Sequence, residues 1–144
     1  RWLLPLRVHD QVIVVKVGRE PGLVRRGDWI AYRRERRYLA PSVYLAGGYS
    51  IDQVRAVAGD RVRFTPDQFR VNDEAYPLLT NMPTSGEWVV PEKQWFVWPE
   101  LVMTSHGVGQ DQIAAAWRQA AFVDRAEYVG RAFPHWFWRR QSLP

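Results

Sequence analysis

The chain has 144 residues, 20 Lys and Arg against 15 Asp and Glu, a net charge of +5 and no cysteine. That length suits one domain with a real core, and the missing cysteines exclude a disulfide framework and a thiolate metal site. His9, His106 and His135 are far apart and lack ligand spacing, so neither a metal nor a cofactor is expected.

In chain order, Val12 to Val17 is an apolar, β-branched run that reads as a buried strand. Pro21-Gly22 is a turn, and Gly27-Asp28 opens a second strand, Trp29 to Arg33. Ala40 to Tyr49 contains Pro41, Gly47 and Gly48 and reads as a loop. Strand pattern returns at Ile51 to Val57. Gly59-Asp60 then turns the chain into Arg61 to Phe64, where Val62 and Phe64 alternate with arginines. Phe69 to Val71 before Asn72-Asp73 reads as a hairpin arm, and Thr80 to Gly86 as a polar loop. Glu87 to Val97 reads as strand interrupted by Pro91. One helix is expected, over Gln110 to Ala121, because Ile113, Trp117, Ala120 and Ala121 form one apolar stripe. Asp111 suits its N-terminal dipole. A last strand runs from Glu127 to Phe133. The expected fold is mainly β: a single domain of antiparallel sheets, residues 1–144, with one short helix at 110–121. Eight tryptophans, each able to bury roughly 150–250 Å², are read chiefly as core anchors, with a bilayer interface as the alternative.

Four segments share an order. They are Val24-Arg25-Arg26-Gly27-Asp28-Trp29-Ile30-Ala31-Tyr32, then Gln53-Val54-Arg55-Ala56-Val57-Ala58-Gly59-Asp60-Arg61-Val62, then Val90-Pro91-Glu92-Lys93-Gln94-Trp95-Phe96-Val97. The fourth is Ala121-Phe122-Val123 with Tyr128-Val129-Gly130-Arg131-Ala132-Phe133-Pro134-His135-Trp136. Together they resemble the type I signal peptidase superfamily, serine peptidases of membranes. The last segment is most like relatives encoded with conjugative transfer systems. The resemblance implies a signal-peptidase-like domain on the extracytoplasmic (periplasmic) face of the inner membrane, anchored by a helix preceding Arg1.

The family's chemistry needs a serine nucleophile and a lysine base, whose amine burial keeps neutral. Counting back from Gly59-Asp60, the lysine position holds Asp52, and counting back from Asp10, the serine position holds Arg1. A shift of one residue toward the N-terminus would put the serine before Arg1. A carboxylate is a poor base for a serine hydroxyl and has the wrong sign beside a developing oxyanion. Of the residues that support the lysine in the family, only Ser105 matches, while Ala116 and Trp117 fall where Asp and Ser are expected. Ser105-His106 and Ser50 beside Asp52 are weaker pairings, since neighbours on extended chain face opposite ways and Ser–Asp lacks the usual activation. Lys16 and Lys93 read as surface or strand-end residues.

The expectation is therefore a pseudo-peptidase domain, leaning away from enzyme activity, that binds an extended peptide or protein partner in membrane-associated secretion or pilus assembly. The candidate edge for that partner is Val8 with Gln53, Val54 and Arg55, by strand addition. One alternative is an active serine peptidase whose nucleophile precedes Arg1. Another is a basic β-domain whose arginines, Arg33, Arg34, Arg36 and Arg37, bind anionic lipid or, less favoured, nucleic acid. The bland reading of that run is a solvated hairpin around Glu35.

Overall fold

A computed structural model of the protein describes residues 3–8, 11–17, 22–40, 43–45, 47–99 and 110–132. These carry fourteen strands, one α-helix and one 3-10 turn. Pairing is antiparallel throughout, so the expected mainly β architecture with one helix is observed. Among the described residues no helix is long and apolar enough to cross a membrane.

The largest sheet holds five strands: β1 (Leu3–Val8), β2 (Gln11–Val17), β3 (Trp29–Arg34), β6 (Gly48–Gln53) and β14 (Tyr128–Ala132). Their order is β1-β2-β14-β3-β6, which leaves β1 and β6 as its two edges. Between β3 and β6 in sequence, β4 (Arg37–Ala40) and β5 (Val43–Leu45) form a small hairpin. This corrects the reading of Ala40 to Tyr49 as loop. The glycines there serve the connection into β6: a Cβ on Gly47 would lie 3.0 Å from the Arg36 amide nitrogen, and Gly48 has φ 121°.

A four-stranded sheet has the order β10-β9-β8-β11, built from β8 (Arg61–Phe64), β9 (Gln68–Val71), β10 (Glu74–Pro77) and β11 (Gly86–Val89). The β9–β10 turn is Asn72-Asp73, with Asn72 at φ 54°. A three-stranded sheet, β13-β12-β7, joins β7 (Ala56–Val57), β12 (Gln94–Phe96) and β13 (Phe122–Asp124). The strand expected over Ile51 to Val57 is thus split between two sheets at Val54-Arg55. Helix α1 (Gln110–Ala121) leads directly into β13.

Two apolar clusters form the core. One gathers Ala56, Val62, Phe64, Phe69, Val71, Met82, Trp88, Val90, Phe96 and Ala121. The other holds Val24, Ile30, Tyr32, Val54, Trp95, Val97 and Val123. Consecutive side chains of a strand point to opposite faces, so Trp95 and Val97 enter the second cluster while Phe96 enters the first. Trp88, Trp95 and Trp117 are buried, and Trp117 of α1 stacks on Trp98 at 4.7 Å between ring centroids. Those three tryptophans are core anchors; Trp136 and Trp138 lie outside the described residues.

The two Gly-Asp boxes are structural turns built alike. Gly27 sits at φ 93° and Gly59 at φ 87°, a region that favours glycine. Asp28 accepts from the Arg25 amide at 2.9 Å, and Asp60 from the Val57 amide at 2.9 Å. Each turn is tied to a neighbouring segment: Gly27 N donates to Val54 O at 2.7 Å and Gly59 N to Val90 O at 2.9 Å. Asp60 also accepts from Asn72 Nδ2 at 3.0 Å, which joins it to the β9–β10 turn.

Candidate functional site

On β6, Asp52 stands opposite Ile30 of β3, and Ser50 opposite Tyr32. Residues two apart on a strand share a face, which brings Ser50, Asp52 and Tyr32 together. The Tyr32 hydroxyl donates to Asp52 Oδ2 at 2.6 Å. Tyr32 is fully buried, and burial pushes its phenol well above its ordinary pKa. The nearby Asp52 charge acts in the same direction, and the Arg34 cation acts against both. The phenol therefore stays a donor throughout the neutral range. Arg55 lies within electrostatic reach of the same carboxylate. Burial lowers its pKa and Asp52 opposes that shift.

This group has the chemistry of a strut. A carboxylate held in a short bond from a buried phenol is poorly placed to take a proton from a serine hydroxyl. The chain has two lysines, Lys16 and Lys93. Lys93 is exposed in the turn before β12 at φ 62°, and Lys16 belongs to β2, with its backbone opposite Leu3 and Arg131.

Arg1, Ser105 and the three histidines lie outside the described residues. Ala116 and Trp117, which the resemblance sets where Asp and Ser are expected, are buried in the helix face that meets the core. Among the described residues no three His, Cys, Asp or Glu converge as a metal site requires. Val8 ends β1, and Gln53 ends β6 with its Nε2 donating to Gly27 O at 3.1 Å. Val54 is already paired through its backbone, N to Asp28 O at 2.8 Å and O from Gly27 N at 2.7 Å, and the Arg55 amide donates to Phe96 O at 2.8 Å. Among the described residues the unpaired edge therefore belongs to β6 itself rather than to Val54 and Arg55. The partner edge is β1: its Cα atoms come within 8 Å of those of β6, yet no ladder joins the two. Four successive antiparallel pairings separate these strands, so β1 and β6 run in the same direction.

The arginine run divides by orientation. Arg33 is exposed, with its guanidinium 5.9 Å from the centroid of the Tyr49 ring, and Arg36 and Arg37 are exposed too. Arg34 is turned inward and is 4% exposed. Its Nη1 donates to Ala120 O and its Nη2 to Phe122 O, both at 2.6 Å. Its Nε lies 3.3 Å from Glu127 Oε2, an ion-pair distance without hydrogen-bond alignment. The guanidinium also sits 4.9 Å from the Tyr32 ring centroid. Arg33, Arg36 and Arg37 line a cleft of about 550 Å³ with Glu35, Ala126, Glu127, Tyr128 and Val129.

Sequence reasoning grouped Arg34 with its neighbours and gave Tyr32 no role. Alternation contained both facts: Ile30, Tyr32 and Arg34 share one strand parity, and the first two are apolar or aromatic.

No family model matches the chain, and no curated protein does. A solved structure is similar to it: a signal peptidase I from Enterococcus faecalis V583. That likeness is 16% identical in sequence with a TM-score of 0.41, and it covers 78% of this chain and 98% of that one.

Proposed function

We propose that this chain is a signal-peptidase-like domain without the peptidase dyad, which captures an extended peptide or protein segment at a membrane. The observation that carries the reading is the engagement of Asp52, at the position of the family's lysine, by the buried Tyr32 hydroxyl at 2.6 Å. A side chain held that way serves the β3–β6 ladder and leaves the place of a base filled by an anion. The edge of β6, which no described strand pairs, supports strand addition as the mode of capture. Main-chain hydrogen bonds would supply affinity, and alternate side chains would supply selectivity. A role on the extracytoplasmic face, in secretion or pilus assembly, rests on the sequence resemblance of the terminal segment.

The test incubates the protein with signal-peptide and pilin-like peptides, scoring cleavage and binding separately, beside an Asp52→Lys variant. The expected result is saturable binding by the native chain with no cleavage. Cleavage by the native chain would establish an active peptidase with its nucleophile and base elsewhere. Absence of both binding and cleavage would remove the capture role.

A further inference from the structure

The cleft between the β3–β4 turn and the segment after the 3-10 turn has a use that peptide capture does not absorb. Its two walls are fixed from inside. On one side Asp124 and Glu127 form a capping box around Arg125–Glu127: Asp124 Oδ1 accepts from Ala126 N at 2.8 Å, and Glu127 Oε1 from Asp124 N at 2.8 Å. On the other side Arg33 projects outward from β3 while Arg34 projects inward. Arg34 reaches Glu127 and so ties the two walls together. The β14–β3 register slips between Tyr128 and Gly130, leaving Val129 as the extra residue in the wall of the cleft. Irregularities of this kind often re-aim side chains beside functional surfaces.

The lining presents three guanidinium groups, Arg33, Arg36 and Arg37, and two carboxylates, Glu35 and Glu127. Glu127 is already engaged by Arg34 and the Asp124 amide, so the balance facing solvent is cationic. Guanidinium forks match the oxygens of phosphate two at a time. Arg33 already rests against the Tyr49 ring, which lowers the ordering cost of that group on binding. A cleft of this size has room for a phosphate-bearing headgroup but not the extended track a nucleic-acid strand requires. Two tyrosines adjoin it in sequence and register: Tyr38, 70% exposed beside Arg37, and Tyr49, 48% exposed against Arg33. Exposed tyrosines beside arginines are the composition of a headgroup-level surface.

We infer that this cleft is a binding site for a phosphate-bearing anion, with Arg33, Arg36 and Arg37 as the recognising groups. The phosphate comes from a lipid headgroup or from solution. The site is independent of the fate of the peptidase dyad, and failure of either proposal leaves the other standing.

The experiment measures flotation of the protein with phosphatidylcholine vesicles and with equimolar phosphatidylcholine–phosphatidylglycerol vesicles. Inorganic phosphate is titrated in parallel, both as a competitor and against the free protein. The test variant is Arg33→Ser with Arg37→Ser. The control, Arg61→Ser with Arg63→Ser, removes the same charge from the pair held by Glu87 on β8. Binding to the anionic vesicles is expected to fall roughly tenfold or more in the test variant and to change little in the control. Arg33→Lys with Arg37→Lys, which keeps charge but not the fork, is expected to recover part of it and serves if the serine variant fails to fold. Vesicle binding would identify a headgroup as the source, and saturable binding of inorganic phosphate without vesicle binding would identify a soluble one. Equal loss in test and control variants would overturn the site in favour of bulk charge. Absence of binding to both probes, or preferred binding of an oligonucleotide or an acidic peptide, would overturn it as well.

Discussion

Tyr32 is where a single residue sets a measurable property of the whole chain. Burial first, and the Asp52 carboxylate next, hold its phenol well above the ordinary tyrosine value. In the unfolded chain the same phenol ionises near pH 10. Below that pH both states keep the proton and the Tyr32–Asp52 bond contributes in full. As pH rises past it, the unfolded state releases a proton that the folded state retains, and stability falls. Native protein is therefore expected to lose urea resistance between about pH 9 and pH 11 more steeply than Tyr32→Phe does. Tyr128, raised mainly by burial, and Tyr76, raised mainly by its bond to Glu74, keep part of that slope in the variant. At neutral pH, Tyr32→Phe should cost about 1–3 kcal/mol, because the bond removed is charge-assisted and part-buried. Urea titrations at three pH values measure both effects, and parallel slopes would refute the assignment.

Between elements, Arg34 links β3 to the end of α1 and to β13. The last carbonyls of a helix lack intrahelical donors, and Arg34, reaching across from β3, donates to Ala120 O near the end of α1 and to Phe122 O at the start of β13. A cation at a helix C-terminus also meets the negative end of its dipole. Arg34→Met keeps much of the buried volume but leaves two carbonyls and Glu127 without this partner. It is expected to destabilise the fold by about 3 kcal/mol. Arg33→Met, one residue away on the outward face, should change stability by less than about 0.5 kcal/mol. Thermal melts of both variants check this contrast. The pair also marks how far the sequence could be read. Helix α1 was legible because Trp117, Ala120 and Ala121 recur on one face, and all three are buried with Ala116. The Gly-Asp turns were legible because only glycine suits their backbone. Arg34 was obscured because a run of arginines reads as a charged surface, although strand parity placed it inside. The β4–β5 hairpin was obscured because its flanking glycines, which permit close backbone approach at Arg36, carry the same signal as a loop.

At the scale of the molecule, the sheets and the two cores are coupled by short strands that belong to both. Phe96 packs with Trp88 and Phe64 in one core, while Trp95 and Val97 on either side pack with Ile30, Tyr32 and Val54 in the other. Ala56 and Val57 divide in the same way. Ring pairs reinforce the sharing: Phe96 meets Trp88 at 6.1 Å on one side, and Trp95 meets Tyr128 at 5.6 Å on the other. Neither cluster can open without exposing a residue adjacent to a wall of its neighbour, so separate melting of the four-stranded sheet is disfavoured. Sequence could not supply this, because the strand pattern over 87–97 says which residues are apolar and not which core receives each. The expected behaviour is one cooperative transition, with tryptophan fluorescence and far-UV circular dichroism coinciding in urea. Phe96→Ala is expected to lower the midpoint of both signals together, by about 3–5 kcal/mol in stability. A fluorescence transition that precedes the loss of β signal would mean that unfolding is not a single step, and that β12 does not couple the two halves.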